Sequence, residues 1–317
     1  MPWDPQIRRR LKLRELDILM AVVAAGGMRK AADHLHMSQP AVSKAIGDLE
    51  RTLGVALLDR SPHGIEPTQY GRALLKRGLA VFDELKQGVQ DIEFLANPGT
   101  GELLIGSSSA VSEGIVLTVI DRLSRQFPRV IFHVLSSGLP AIYDELRERR
   151  VELGFARIYG TIEDDIEYEV LFEDRLVVVA GLDNPWVRRR KIRLAELVNE
   201  PWTWPAVGNM FDALVVEAFR ASGLEPPRAT VYASDMNTRI KLAANGRFLA
   251  IVPAGNLKSF AKHPPVKMLP VELSTPHRQI GLITLKNRTL SPLAQLFIEC
   301  VRDIAKPLAK DMRKPPR

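Results

Sequence analysis

A single cysteine, Cys300, stands in the 317 residues, so no disulfide can form within the chain and a reducing compartment is the expectation. Histidine is nearly as scarce. His34 and His36 are two apart and face different sides of a helix, and His63, His133, His263 and His277 are scattered, so no chelating pair is expected and no metal. No apolar run approaches the roughly 18 residues that crossing a bilayer requires. There is no G-x-S-x-G, Walker or paired-cysteine motif. The stretch 99–104 opens like a dinucleotide loop, but it lacks the final glycine and precedes a strand. Cys300, flanked by Leu296 and Ile304 at helical spacing, reads as a small buried hydrophobe. These absences leave no catalytic residue, no cofactor and no metal to name, and an enzyme becomes the weaker alternative.

A secretory leader is also missing a part. Arg8, Arg9, Arg10, Lys12 and Arg14 precede an apolar run, but Glu15 and Asp17 interrupt the approach and the run, 18–25, is short. A cytoplasmic location without membrane contact is therefore expected.

Charge is abundant and unevenly placed. Residues 1–77 carry a net +5 and residues 306–317 a net +4, against −2 for the rest. A basic first quarter ahead of a slightly acidic body suggests a polyanion as partner of the N-terminal part. The tail 306–317, with three prolines, reads as a frayed basic end.

Four helices are legible in the first hundred residues. Leu13, Leu16, Met20 and Val23 form one apolar stripe, closed by Gly26-Gly27. A short helix from Met28 turns Ala31, Ala32 and Leu35 inward. Ser38 caps a third, with Pro40 in its first turn and Val42, Ile46, Leu49 and Leu53 as its buried stripe. After Gly54, the apolar 55–58 and the turn 59–64 read as a hairpin. A long helix then runs from Thr68 to about residue 96, with Leu75, Leu79, Phe82, Leu85, Val89, Ile92 and Leu95 near heptad spacing. It has too little neighbouring chain to bury that stripe, so a helix from a second copy is the expected mate.

Two short helices joined by a tight turn at 36–38 have the geometry of a helix-turn-helix, whose second helix lays its N-terminal side chains against base edges. Gln39 can bond adenine twice, Lys44 can donate to guanine or phosphate, and Ser43 allows close approach. The wording from Arg29 to Ile46, followed by Leu49-Glu50, Leu53-Gly54, Leu57-Leu58, Asp59-Arg60, Thr68 and Gly71, strongly resembles the winged helix-turn-helix of LysR-type transcriptional regulators. The resemblance implies base contacts from Gln39, Pro40, Ser43 and Lys44, and phosphate contacts from Lys30, Arg60 and Thr68. Gly27-Met28 stands where the family usually has serine and an aromatic, and Leu58 replaces a common phenylalanine.

Beyond the linker 97–101, strands and helices alternate. Strands are expected at 102–106, 130–135, 152–156, 176–180, 202–204, 230–232, 248–252 and 279–285. Helices are expected near 112–126, 140–149, 194–199, 210–222, 235–245 and 291–304. Such alternation implies mostly parallel sheets covered by helices, with length enough for two lobes around a cleft. Ser107, Ser108 and Ser109 follow the first strand, Ser136 and Ser137 the second, and Arg157 the third. Open α/β folds bind ligands at such carboxyl ends. A hydroxyl-rich cleft with an arginine suits a small carboxylate or a hydroxylated molecule, with turn serines and a surface arginine as the bland alternative. Trp204 and Met210 are placed on the second lobe's wall, with core packing as their alternative.

The resemblance to LysR-type regulators also covers this region, through Ile105-Gly106, Phe127-Pro128, 146–155, Asn245-Gly246 and Val252-Pro253. It implies a two-lobed effector domain like a periplasmic binding protein, and dimers or tetramers formed through the long helix. Arg247-Phe248 replaces a frequent glycine pair, so both residues are expected to shape the effector site.

The expected organisation is a winged helix-turn-helix at 11–68 and a linker helix at 69–97. An α/β effector domain at 98–305 follows, its lobes formed by about 98–160 with 275–305 and by 161–274, and then the tail 306–317. The expected partners are double-stranded DNA, a small-molecule effector and further copies of the chain, with RNA polymerase as a partner that a regulator would meet. A periplasmic solute-binding protein would account for the two lobes, but it leaves 28–96 unexplained and requires the leader.

Overall fold

The computed structural model describes residues 9–61, 64–108, 111–158, 160–259, 265–274 and 278–312; the side chains of 60, 61, 258, 259 and 310–312 also lie outside the description. The chain divides into two compact units, 1–89 and 90–317.

In the first unit, helix α1 (Leu13–Ala25) buries Leu16, Ile18, Leu19 and Val22 and stops at Gly26, whose φ of 66° lets its N–H turn back to the carbonyls of Val22 and Val23. Helix α2 (Met28–His34) starts at Gly27 with no side-chain cap. Helix α3 (Gln39–Leu53) is better specified: Ser38 Oγ accepts the N–H of Ala41, Pro40 sits in the first turn, and Gly54 closes it at φ 72°. Val42, Ile46 and Leu49 on α3 meet the buried face of α1 in one core. The hairpin lies later than the sequence suggests, as strands β1 (Leu58–Ser61) and β2 (Gly64–Pro67). Glu50 Oε1 sets its start by accepting the N–H of Leu57 at 2.7 Å and of Leu58 at 3.3 Å, which keeps 55–57 out of the strand.

Helix α4 (Gln69–Ala96) does not leave its whole stripe open. Leu74, Leu75 and Phe82 pack against the core of the first unit, while Leu85, Val89, Ile92 and Leu95 are exposed, rising to 80% at Leu95. Gly71 is required where α4 begins, because a Cβ there would lie 2.1 Å from the Leu57 carbonyl oxygen.

The second unit holds two five-stranded sheets, each with its own core. Its strands are β3 (Thr100–Ser107), β4 (Arg129–Ser136), β5 (Leu153–Arg157), β6 (Ile166–Asp174), β7 (Leu176–Gly181), β8 (Trp202–Trp204), β9 (Val231–Tyr232), β10 (Leu249–Pro253), β11 (Val266–Met268) and β12 (Arg278–Leu285). The first lobe has the order β4-β3-β5-β12-β6 and the second β11-β7-β10-β8-β9. Its helices are α5 (Leu117–Gln126), continuing from a π-helical turn at Ser112–Val116, then α6 (Leu139–Arg147), α7 (Met210–Arg220), α8 (Met236–Ala244), α9 (Ala254–Ser259) and α10 (Pro292–Met312).

Three sequence expectations change. The sheets are mixed rather than mostly parallel, since β12 runs antiparallel to β5 and β6, and β7 antiparallel to β10 and β11. The chain reaches β12 from β6 only by way of the second lobe, so no crossover helix forces that pair to be parallel. The lobe boundary also falls later than residue 161, because β6 pairs with β12 from Ile166↔Leu285 to Asp174↔Arg278 and belongs to the first lobe. Finally, α10 continues to Met312 through Pro307, so residues 306–312 are helical and not a frayed tail. Leu308 and Ala309 pack on the first lobe's core and offset the N–H that proline removes.

The chain first crosses between lobes at Asp174-Arg175 and returns between β11 and β12. Asp174 is 4% exposed, and its carboxylate accepts Arg157 Nη2 at 2.9 Å, the Arg175 N–H at 2.9 Å and the Gly255 N–H at 3.1 Å. Burial pushes this carboxyl above its ordinary range, opposed by Arg157 and the two backbone donors.

Two predictions concern stability, read by urea unfolding of the full chain. Gly71→Ala costs about 3 kcal/mol through the clash with the Leu57 carbonyl, whereas Gly88→Ala on the same helix, with open space around it, is neutral or stabilising. Equal effects would contradict the close approach. Arg157→Ala strands a buried carboxylate and costs about 3–5 kcal/mol, and adding Asp174→Asn recovers much of that by removing the charge while keeping an acceptor for Gly255. A loss below about 1 kcal/mol in the single variant would refute the pair's role.

Candidate DNA interface and ligand cleft

The buried stripe of α3 fixes which side chains its other face presents. With Val42, Ile46 and Leu49 inward, Gln39, Pro40 and Lys44 are exposed and Ser43 is half-buried. Residues 39 and 43, like 40 and 44, are one turn apart, so the four expected base-reading positions form one surface at the start of the helix. Lys30 on α2 is exposed as well. Arg60 lies on β1, but its side chain is outside the described residues. Thr68 is corrected. Its hydroxyl donates to the Ala56 carbonyl at 2.8 Å and accepts the Gly71 N–H at 3.1 Å, so it caps α4 and has no proton left for a phosphate.

Between the two lobes lies a cleft of about 710 Å³. Its walls follow from topology. The parallel strands β3, β4 and β5 end on one side, and α7 and α8 begin on the other. Ser108, Ser137 and Arg157 line the first wall as expected from sequence, and Met210 lines the second.

Other expected residues do not meet there. Ser107 is wholly buried, its Oγ turned to the Ser108 carbonyl, and Ser136 is exposed outside the cavity. Ser109 lies outside the described residues. Trp204 is buried in the second lobe's core with Trp202 and Phe219, and its Nε1 donates to Asp212 at 2.7 Å. Arg247 and Phe248 stack on each other at 5.2 Å just before β10, whereas the cleft is met by Pro253 at that strand's far end. About 16 Å of extended chain separates the two ends. Arg157 is in the cleft, but its charge is committed to Asp174.

The cleft also holds residues the sequence reading missed. Phe211 and Arg239 line the second wall, and Glu163, paired with Arg147, lines the first. Beside the cleft, Glu113 of the π-helical turn accepts Asn237 Nδ2 at 2.7 Å and Asn256 Nδ2 at 3.4 Å, joining the lobes. Burial raises its pKa, although the two amides pull it down. A smaller cavity of about 170 Å³ shares Val111 and Arg157 with the cleft but is otherwise walled mainly by first-lobe core residues such as Ile115, Phe172, Ile280 and Ile304. Among the described residues no His/Cys/Asp/Glu cluster could hold a metal, and no helix is long and apolar enough to cross a membrane.

Residues 13–72 match the family described as "Bacterial regulatory helix-turn-helix protein, lysR family", and residues 96–306 match "LysR substrate binding domain". The HTH-type transcriptional regulator GbpR of Azospirillum brasilense is 26% identical over 298 residues, covering 93% of this chain and 87% of that protein. The transcriptional dual regulator GltC of Bacillus subtilis is 25% identical over 291 residues, covering 92% and 96%. A full-length OxyR variant from Pseudomonas aeruginosa superimposes with a TM-score of 0.65 at 21% identity, over 96% of this chain and 99% of that one. Full-length CbnR complexed with its target DNA gives 0.52 at 23%, over 93% and 100%. At these identities the solved structures attest the fold alone. The helix-turn-helix match covers residues 28–72 of the segment that a solute-binding protein would leave unexplained. The chain belongs to the LysR family: it is a DNA-binding transcriptional regulator with an effector-binding domain.

Proposed function

We propose that α3 reads a specific operator through Gln39, Pro40, Ser43 and Lys44, with Lys30 and Arg60 holding phosphates. The observation that carries this reading is the exposed polar start of α3, opposite a stripe that is almost completely buried. The exposed half of the α4 stripe, Leu85 to Leu95, is the seam for a second copy, giving a dimer or a pair of dimers. A dimer presents two recognition helices to two half-sites. A small anionic or hydroxylated effector enters the cleft beside Ser108, Ser137 and Arg157 and shifts the balance between assemblies by binding one better than the other. The protein acts in the cytoplasm, without a catalytic step, and RNA polymerase is the partner through which a bound regulator would act.

Gln39→Ala relaxes preference among duplexes, whereas Lys30→Ala weakens binding to all of them and lowers the salt slope by about one. Titrating specific and random duplexes at several salt concentrations separates the two. Equal loss on both duplexes for Gln39→Ala overturns its base-reading role. Ile92→Asp, a charge placed mid-seam, lowers the oligomer's mass in sedimentation; an unchanged mass places the interface elsewhere.

A further inference from the structure

Arg239 is 2% exposed, lines the cleft, and is not matched by a carboxylate. No ion pair among the described residues includes it. Asp235 and Glu113 act on it through space, but each is bonded elsewhere: Asp235 to the N–H and hydroxyl of Thr238, both at 2.7 Å, and Glu113 to Asn237 and Asn256. The guanidinium keeps three weaker contacts. Nη1 donates to the Ile251 carbonyl at 3.2 Å, Nη2 approaches Met236 Sδ at 3.2 Å, and the group lies 5.0 Å from the Phe211 ring centroid. Its Nε is buried and finds no acceptor. Burial depresses its pKa to about 10, which still leaves it charged at neutral pH.

The other charged residues on the cavity wall are in direct ion pairs: Arg157 with Asp174, and Glu163 with an Arg147 that Asp144 and Asp165 share. Among the described residues of the wall, Arg239 is the charged group without one. Three helices, α6, α7 and α8, also begin at this cavity, at Gly138-Leu139, Asn209-Met210 and Ser234 to Met236; Asp212 and Asp235 sit at the starts of α7 and α8, whereas α6 begins without a side-chain cap. The rest of the wall is largely apolar, with Val111, Tyr143, Phe211, Met236 and Pro253.

We infer that the cleft takes a small monocarboxylate with an apolar body, its carboxylate directed to Arg239 and its body held against Phe211 and Met236. This rests on the cleft being the effector site, and it replaces Arg157 with Arg239 as the anchoring charge. A carboxylate supplies the direct partner that Arg239 lacks, and a planar guanidinium with a free N–H donates to it through charge-assisted bonds stronger than those it gives a neutral amide. The hydroxyls of Ser108 and Ser137 fix the ligand's orientation rather than its charge.

The test uses the full chain and three probes, phenylacetate, 3-phenylpropanoate and hexanoate, each beside its primary amide. Calorimetric titration is expected to find at least one acid that binds about 30-fold more tightly than its amide. In Arg239→Met that preference disappears and the ligand-free melting temperature rises, because an unpaired buried charge has been removed. Acid and amide binding equally, no acid binding at all, or an Arg239→Met chain that keeps the preference would each overturn the inference. If Arg239→Met fails to fold, the acid-to-amide comparison on the wild-type chain still decides. Measuring DNA affinity in the same samples separates the two readings. An acid that prefers Arg239 yet leaves DNA binding unchanged upholds the anchor and overturns the effector role. A neutral amide that alters DNA binding as strongly as its acid does the reverse.

Discussion

A carboxylate taken out of water must find its compensation inside the protein, and the effector domain is arranged around one that does. Asp174 accepts three hydrogen bonds, from β5 of the first lobe, from the crossing residue Arg175 and from Gly255 at the start of α9 in the second lobe. These bonds fix where β6 leaves the first sheet and β7 enters the second. Gly255 is part of the same constraint, since a Cβ there would come within 3.2 Å of Asp174 Oδ2. With the crossing held, the carboxyl ends of β3, β4 and β5 face the amino ends of α7 and α8, and the space between them is the cleft. Replacing the pair by apolar groups of similar shape would be less damaging than removing one member, because the cost lies in the charge left behind.

What was legible in the sequence is what local chemistry decides. Ser38 and Pro40 start α3, Gly54 ends it, and its apolar positions repeat at helical spacing, so both the helix and its exposed face could be read directly. The serines after β3 and β4 were legible in part, because strand ends in open α/β folds are predictable while side-chain direction is not: Ser108 and Ser137 reach the cavity, and Ser107 turns inward.

The rest depends on pairings distant in sequence. Nothing near β6 says that it lies beside β12, more than a hundred residues later, and the lobe boundary moves with that pairing. The partner of Arg157 is only 17 residues on, but it lies at the far end of β6, so the same unseen strand hides it: an arginine at a strand end looks free for a ligand when a buried aspartate already holds it. Arg247 and Phe248 were placed at the right strand but the wrong end. Arg239 did leave a trace: it lies on the helical face of Met236 and Ala243, both buried, which is an unusual position for a charge without a partner.

That placement bears on how a ligand could be felt at all. An effector shifts an equilibrium only by the difference in its affinity for the two states, so its charge must meet something that differs between them. Helix α8 carries both Arg239, which faces the cleft, and Asn237, whose amide is held by Glu113 of the first lobe. Any movement of the second lobe that separates α8 from the π-helical turn must break the bond from Asn237, and with it the geometry around Arg239. Glu113 is itself poorly solvated, and its pKa is raised by burial, so the bridge holds because two amides share the work of stabilising its charge. A ligand charge placed at Arg239 would therefore act on the helix that bonds to the first lobe, two residues from that bond.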